Sequence, residues 1–189
     1  GNIMPAYIEG TFISQNEAAV RDLRSKGWLI NLYFGGMPFG GLWHGSQISS
    51  RFNSNINGLK KHHFISLLAH YETNDVSGNY FFPSRIKYPY GYRSYYFNNA
   101  WKTSIAYRLP LIYPDRRLLF GASYLKRVQG KLFFDAMDTD LSNNLLMSIG
   151  TGFIFDLGGF FDIVFPLSIS LNYYYQPQTG KGGIQFEFE

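Results

Sequence analysis

The sequence predicts an all-β protein that folds as an antiparallel transmembrane β-barrel. Three observations predict this class: long stretches of alternating apolar and polar residues, abundant aromatics and glycine, and no apolar run of the roughly 20 residues that a membrane-spanning helix needs. Aromatics make up 19% of the chain, and there are 20 Gly among its 189 residues, a mixture that suits strands and tight turns. Charged residues reach only 16%, below the roughly 25% of typical soluble domains.

The period-two alternation places strands along most of the chain. Strands are predicted at residues 2–13, 27–36, 41–54, 60–72, 97–110, 117–136, 144–156, 160–174 and 182–189. Many exceed the usual strand length of about 5–6 residues and match the roughly 9–11 residues that cross a bilayer. The mean hydropathy of −0.15 agrees with a barrel, in which polar residues facing the lumen dilute the apolar residues facing lipid.

The connections complete this prediction. One short helix is predicted near 15–26, where Ser14 and Glu17 have the spacing of a capping box and Gly27 can end the helix. The longest connection, 73–96, is predicted to be an external loop or a loop folded into the lumen. Bacterial barrels of one chain usually have even strand numbers. Residues 1–189 are therefore expected to form either one barrel domain of about eight strands or the C-terminal half of a larger barrel.

Several function classes are excluded by composition and motifs. Without cysteine, there is no disulfide, thiolate nucleophile or cysteine metal site. His62 and His70 would lie about 26 Å apart along one strand at roughly 3.3 Å per residue, so no shared metal site is expected. No hydrolase, zinc-protease or phosphate-loop motif occurs, so we expect no catalytic residues, no cofactor and no enzyme. The net charge of +4 is scattered, which argues against nucleic acid as a partner.

The C-terminal half resembles the bacterial surface antigen superfamily, which includes the outer-membrane assembly insertase and the two-partner secretion translocators. The resemblance covers roughly residues 85–189 and rests on the order of features. A long loop contains Tyr90-Gly91-Tyr92-Arg93, a strand follows with Ala106-Tyr107-Arg108-Leu109-Pro110-Leu111, the next ends in Phe133-Phe134-Asp135-Ala136-Met137, and three strands complete the chain. Two positions depart from the family pattern: Tyr90 stands where the family has Arg, and Met137 where it usually has Gly.

The resemblance implies a sixteen-stranded barrel and a pinned loop. In the family, the acid corresponding to Asp135 pairs with a loop arginine inside the lumen; Arg93 is the first candidate partner here and Arg85 the second. The alternative is an acid with solvent partners only. Gly91 could supply a positive φ at the loop tip or be an ordinary turn glycine. Tyr92 and its neighbouring tyrosines would pack the loop in the lumen or form an interfacial aromatic girdle.

The same resemblance implies a location and a role. The final segment, with Gly183, Phe186 and Phe188, is similar to the C-terminal signal read by the assembly machinery, and it would form one side of the barrel seam. We expect a bacterial outer-membrane protein that assists insertion or translocation of outer-membrane or surface proteins. Its expected partners are outer-membrane lipid, lipopolysaccharide, the assembly machinery and other subunits of a membrane complex. The alternatives are a barrel that only anchors a periplasmic or surface domain, and a complete eight-stranded barrel acting as an adhesin or small pore.

Overall fold

A computed structural model describes residues 5–15, 26–37, 44–75, 80, 82–114, 116–118, 123–142, 144–160 and 167–188. Over these residues the chain forms ten strands and no helix. The strands are β1 Ala6–Gln15, β2 Gly27–Gly36, β3 Ser46–Asn57, β4 Phe64–Asp75, β5 Asn99–Ile112, β6 Arg116–Leu118, β7 Ser123–Thr139, β8 Leu146–Phe160, β9 Leu167–Gln176 and β10 Lys181–Phe188. No helix of a length and apolarity suited to crossing a membrane occurs in this part of the chain.

All strands belong to one antiparallel sheet in which neighbours in sequence are neighbours in space. The order is β1-β2-β3-β4-β5-β7-β8-β9-β10, and the three-residue β6 pairs with β7. β6 continues the line of β5 along β7, after a register shift between Pro110 and Ile112. Proline lacks the amide hydrogen that the ladder needs, which accounts for an interruption at this point. The all-β, antiparallel prediction is confirmed.

The nine predicted strands all occur, but several boundaries move. The strand predicted from residue 60 begins at Phe64, because the preceding residues close a tight turn in which the Gly58 amide donates to the His63 carbonyl at 2.8 Å. Within that turn His62 has φ 66°, a left-handed conformation incompatible with a strand. Phe160, predicted to begin the strand 160–174, ends β8 instead, and β9 is described from Leu167; the last strand begins at Lys181. Of the helix predicted near 15–26, residues 16–25 lie outside the described residues, whereas Gln15 belongs to β1.

The two faces of the sheet have opposite chemical character. The polar face carries buried polar side chains from successive strands, and the apolar face carries large exposed hydrophobic ones. Buried members of the polar face include Gln47, Glu72, Lys102, Asp135, Ser148 and Asn172. Exposed members of the apolar face include Ile48, Tyr71, Trp101, Phe134, Ile149, Tyr173 and Phe186. Soluble proteins bury their hydrophobic residues and expose their charges, so this distribution is inverted.

One small hydrophobic cluster packs against the polar face where the loop between β4 and β5 meets the sheet. Ile86 and Phe97, from the loop between β4 and β5, pack with Ala100 of β5 and Met137 of β7. This cluster fixes the base of the loop on the sheet.

Both outer strands leave one edge unpaired in the described structure. β1 pairs only with β2, and β10 only with β9. Over the described ranges β1 and β10 make no contact with each other. The sheet is therefore open, with two strand edges that could accept further strands.

Candidate functional site: the loop on the polar face

The loop between β4 and β5, described at residues 80 and 82–98, lies against the polar face. Its entry is held by Glu72 of β4, whose side chain is fully buried. One carboxylate oxygen accepts the Arg85 amide at 2.7 Å, and the other accepts the Gln47 side-chain amide at 3.1 Å. Gln47 also donates to the Pro83 carbonyl at 3.2 Å. A buried carboxylate needs several donors, and here the loop backbone supplies one of them.

The loop tip is centred on Tyr90. Its ring packs against Phe133 of β7, with centroids 4.5 Å apart, and near Tyr174 of β9, at 6.5 Å. Its hydroxyl donates to Glu187 Oε2 of β10 at 2.6 Å and accepts from Lys131 Nζ at 2.8 Å. One loop residue thus links three strands, including the unpaired edge strand.

The backbone of Tyr90 is held as firmly as its side chain. The Tyr90 amide donates to Ser148 Oγ at 3.2 Å, and the Gln176 side-chain amide donates to the Tyr90 carbonyl at 3.2 Å. These hydrogen bonds to the Tyr90 backbone therefore hold the loop tip in one conformation on the polar face.

Gly91 makes this close approach possible. Its φ is 80°, so Gly91 supplies a positive φ at the loop tip, which was one of the two interpretations from sequence. Residues with an L side chain rarely adopt this conformation. A Cβ at this position would lie 2.2 Å from Tyr174 Cε2 and 2.7 Å from Gln176 Nε2. Only glycine fits here without displacing the sheet residues.

Tyr92 follows and docks on β8. Its hydroxyl lies 3.2 Å from the Met147 carbonyl and 3.0 Å from Gln178 Oε1. Burial raises the pKa of the Tyr92 phenol, and the hydrogen bond to Met147 acts in the opposite direction. Tyr92 therefore packs the loop against the polar face. In contrast, Tyr95 and Tyr96 are exposed.

Asp135 is buried, and its ion-pair partner is Lys102 of β5. The Lys102 Nζ lies 3.9 Å from Asp135 Oδ2, and Ser148 Oγ donates to the same oxygen at 3.4 Å. The arginines predicted as partners lie elsewhere: Arg93 is exposed, and Arg85 forms an ion pair with Glu9 of β1 at 3.0 Å. The loop still reaches Asp135 indirectly, because Ser148 contacts both that acid and the Tyr90 amide.

Arg85 holds the loop to the other edge strand. Besides Glu9, its guanidinium lies 4.0 Å from the centre of the Tyr33 ring of β2, a cation–π distance. The Glu9 carboxylate also accepts from the Asn31 side chain at 2.7 Å. The loop thus contacts carboxylates on both edge strands, Glu9 on β1 and Glu187 on β10.

The residues predicted for the C-terminal seam occupy β10 on both faces of the sheet. Phe186 and Phe188 are 66% and 73% exposed on the apolar face. Gly183 lies opposite Tyr174 in the register of β9 and β10, and a Cβ there would be 2.6 Å from the Tyr174 hydroxyl. Tyr174 is therefore enclosed between Gly91 and Gly183.

Sequence reasoning missed the role of Glu187 and Lys102. Both alternate with aromatic residues, which assigns them to the polar face, but alternation alone names no partner. The pairing of β5 with β7 sets Ser104 opposite Asp135, so Lys102 is a neighbour on the same face. Knowledge of the register between β5 and β7 would have indicated that Lys102 pairs with Asp135.

The histidines are spread over the structure. His70 lies on the polar face, with its Nε2 at 2.8 Å from Ser49 Oγ. His63 lies at the turn before β4, with Nδ1 at 2.5 Å from the Tyr107 hydroxyl. Among the described residues, no group of three or more His, Cys, Asp or Glu could hold a metal ion.

Comparisons with protein-family models, with curated proteins and with solved structures gave no match to this chain.

Proposed function

We propose that this chain forms part of a transmembrane β-barrel in a bacterial outer membrane. The observation that carries the proposal is the inverted sheet, with buried Lys102 and Asp135 on one face and exposed Trp101 and Phe134 on the other. A soluble monomer rarely exposes a continuous apolar patch larger than a few hundred Å². Moving one large apolar side chain out of water contributes about 1.5–3 kcal/mol, so the apolar face as a whole strongly favours lipid.

The unpaired edges support a larger barrel. In lipid, an open strand edge leaves amide and carbonyl groups without partners, at a cost of several kcal/mol per group. β1 and β10 each have such an edge in the described structure. We therefore propose that further strands complete the ring, as in the sixteen-stranded barrel that the resemblance to the surface antigen superfamily implies.

For function, we propose that the barrel assists insertion or translocation of outer-membrane or surface proteins, with β10 as the working edge. In a closed ring β10 would form one side of a weak seam with the first strand, and where that seam opens its edge can template an incoming strand through main-chain hydrogen bonds. On β10, Glu187 is bonded to the loop tip, whereas Phe186 and Phe188 face outward. An incoming strand would meet a β10 that is fixed on its polar side and apolar on its lipid side.

The anchor function is the second candidate, and the loop favours it. Tyr90 and Arg85 tie the loop across the polar face to β10 and β1. A loop fixed in this way occupies the interior and would suit a barrel that only holds another domain in the membrane. The third candidate, a complete eight-stranded adhesin or small pore, requires two edge strands to close on each other, and the described β1 and β10 do not meet.

Disulfide trapping in intact outer membranes separates these functions. The chain has no cysteine, so Phe186→Cys introduces a single thiol on β10, and a stalled client carries one thiol in its last strand. Tyr71→Cys is the matched control, because Tyr71 is also exposed on the apolar face but lies in β4, which is paired on both sides. The proposed function predicts a cross-link to residue 186 and none to residue 71. Equal yields, or none at residue 186, would leave the anchor function.

A further inference from the structure

A cavity of about 550 Å³ lies on the polar face beneath the loop. Its volume falls within the roughly 300–1,000 Å³ of typical ligand sites. Its walls come from β2, β3, β4, β5, β7 and β10, with Lys87, Tyr88 and Tyr90 of the loop. The sheet therefore curls around this space, and the loop covers part of it.

The cavity has a strong excess of positive charge. Of the described side chains that line it, two are carboxylates, Asp135 and Glu187. The cationic ones number five: Arg51, Lys87, Lys102, Arg108 and Lys131. Charges of one sign within low-dielectric walls concentrate the field and attract counter-ions.

The strand register places two cations side by side on the polar face. Arg108 of β5 and Lys131 of β7 are direct cross-strand partners, and they are only 7% and 6% exposed. Two further cations, Arg51 of β3 and Lys102 of β5, lie in one row with His70 of β4 between them. Like charges directly opposite each other in a sheet are destabilising, and a bound anion would offset that repulsion.

We propose that this cavity is an anion-binding site that takes a phosphate group. A guanidinium fork such as that of Arg108 binds two phosphate oxygens at once, and a lysine ammonium adds a point charge. A phosphate monoester carries about −1.5 to −2 at neutral pH, so it matches the excess of positive charge better than a single carboxylate does. The group could belong to a lipid headgroup or to a phosphate free in solution. The site does not depend on the movement of client proteins, so either proposal can fail without the other.

Calorimetric titration of the full-length protein with inorganic phosphate, in a non-ionic detergent at low ionic strength, tests the site. We expect saturable binding, at least tenfold weaker in Arg108→Gln and weakened less in Arg108→Lys, which keeps the charge but not the fork. Lys61→Gln removes one positive charge from an exposed turn and should bind like the wild type. Absence of binding by the wild-type protein, or equal affinity in Arg108→Gln, would overturn the proposal.

A second variant and a second measurement show whether weaker phosphate binding results from misfolding. Lys131→Gln neutralises the facing cation and should weaken phosphate binding by a similar factor. Without phosphate, the far-UV circular dichroism of Arg108→Gln and Lys131→Gln in detergent should match that of the wild type, which would show that both variants fold. Unchanged phosphate binding by Lys131→Gln, or weaker binding only in variants whose spectrum is altered, would contradict the proposal.

Monomeric dihexanoyl-phosphatidic acid, whose phosphate is also a monoester, distinguishes the two sources of phosphate. Tighter binding of this lipid than of inorganic phosphate would assign the site to an anionic headgroup. Equal or weaker binding would assign it to a free phosphate. Both results support an anion site, provided that Arg108→Gln weakens each of them.

Discussion

Substitution of Gly91 by alanine should release the loop tip from the polar face. A left-handed conformation costs an L residue about 1–2 kcal/mol, and forcing a methyl group into a packed site costs a further 1–3 kcal/mol, roughly. Both terms apply, because Gly91 has φ 80° and its Cβ would lie 2.2 Å from the Tyr174 ring. Detaching the tip relieves both without opening the sheet.

The expected effect on loop opening can be measured by limited proteolysis. A cost of about 2 kcal/mol raises the opened population roughly 30-fold, and cleavage of a transiently opened segment follows that population when reclosing is fast. Trypsin can cut after Lys87 and Arg93, which are exposed in the loop. We expect cleavage of Gly91→Ala at these sites at least about 30-fold faster than in the wild type.

Gly180→Ala is the matched control for this experiment. Gly180 also has a positive φ, 64°, but a Cβ there would meet nothing within 4 Å. It lies in the turn between β9 and β10 rather than in the loop, so its cleavage rate in the loop should equal that of the wild type. If Gly91→Ala resisted trypsin like the wild type, the close packing of the loop tip would be refuted.

Three further predictions concern stability, each measured as the thermal midpoint in detergent by circular dichroism. Asp135→Asn should destabilise the protein by about 3–5 kcal/mol, because it leaves a buried ammonium without its carboxylate; an unchanged midpoint would exclude the pair. Glu9→Gln, which breaks the half-exposed pair with Arg85, should leave the midpoint unchanged, so a clear drop would show that this contact matters more than its exposure indicates. Tyr90→Phe removes the hydroxyl bonded to Glu187 and should cost about 1.5–3 kcal/mol; β10 should then exchange its amide hydrogens faster, whereas unaltered exchange would contradict the link.

The strand positions could be predicted from sequence because one physical rule governs them. A sheet with one polar and one apolar face imposes period two on every strand. The segment 27–36 was predicted with the bounds that the structure has. The boundary before β4 was missed because the turn there contains His62 in a left-handed conformation. No sequence pattern in Lys60–His63 predicts that conformation.

The partners within the candidate site could be predicted only in part. Alternation assigns Asp135 and Lys102 to the polar face, but their pairing depends on the register of β5 against β7, which is fixed by the whole sheet. The exposed position of Arg93 and the reach of Arg85 to Glu9 depend on the path of a long loop. Such a path is set by many weak contacts, so a comparison of sequence motifs cannot predict it.

In a transmembrane barrel, the apolar face of the sheet must lie in lipid. Trp28 and Trp101 are both on that face and 40% exposed, so they report on it once Trp43 is replaced by phenylalanine. In vesicles of brominated phospholipid, we expect strong quenching of their fluorescence and little quenching by aqueous acrylamide. A single tryptophan at position 68, in place of a leucine that lines the polar-face cavity, should not be quenched by the lipid. Strong acrylamide quenching of Trp28 and Trp101 without quenching by brominated lipid would contradict the transmembrane barrel.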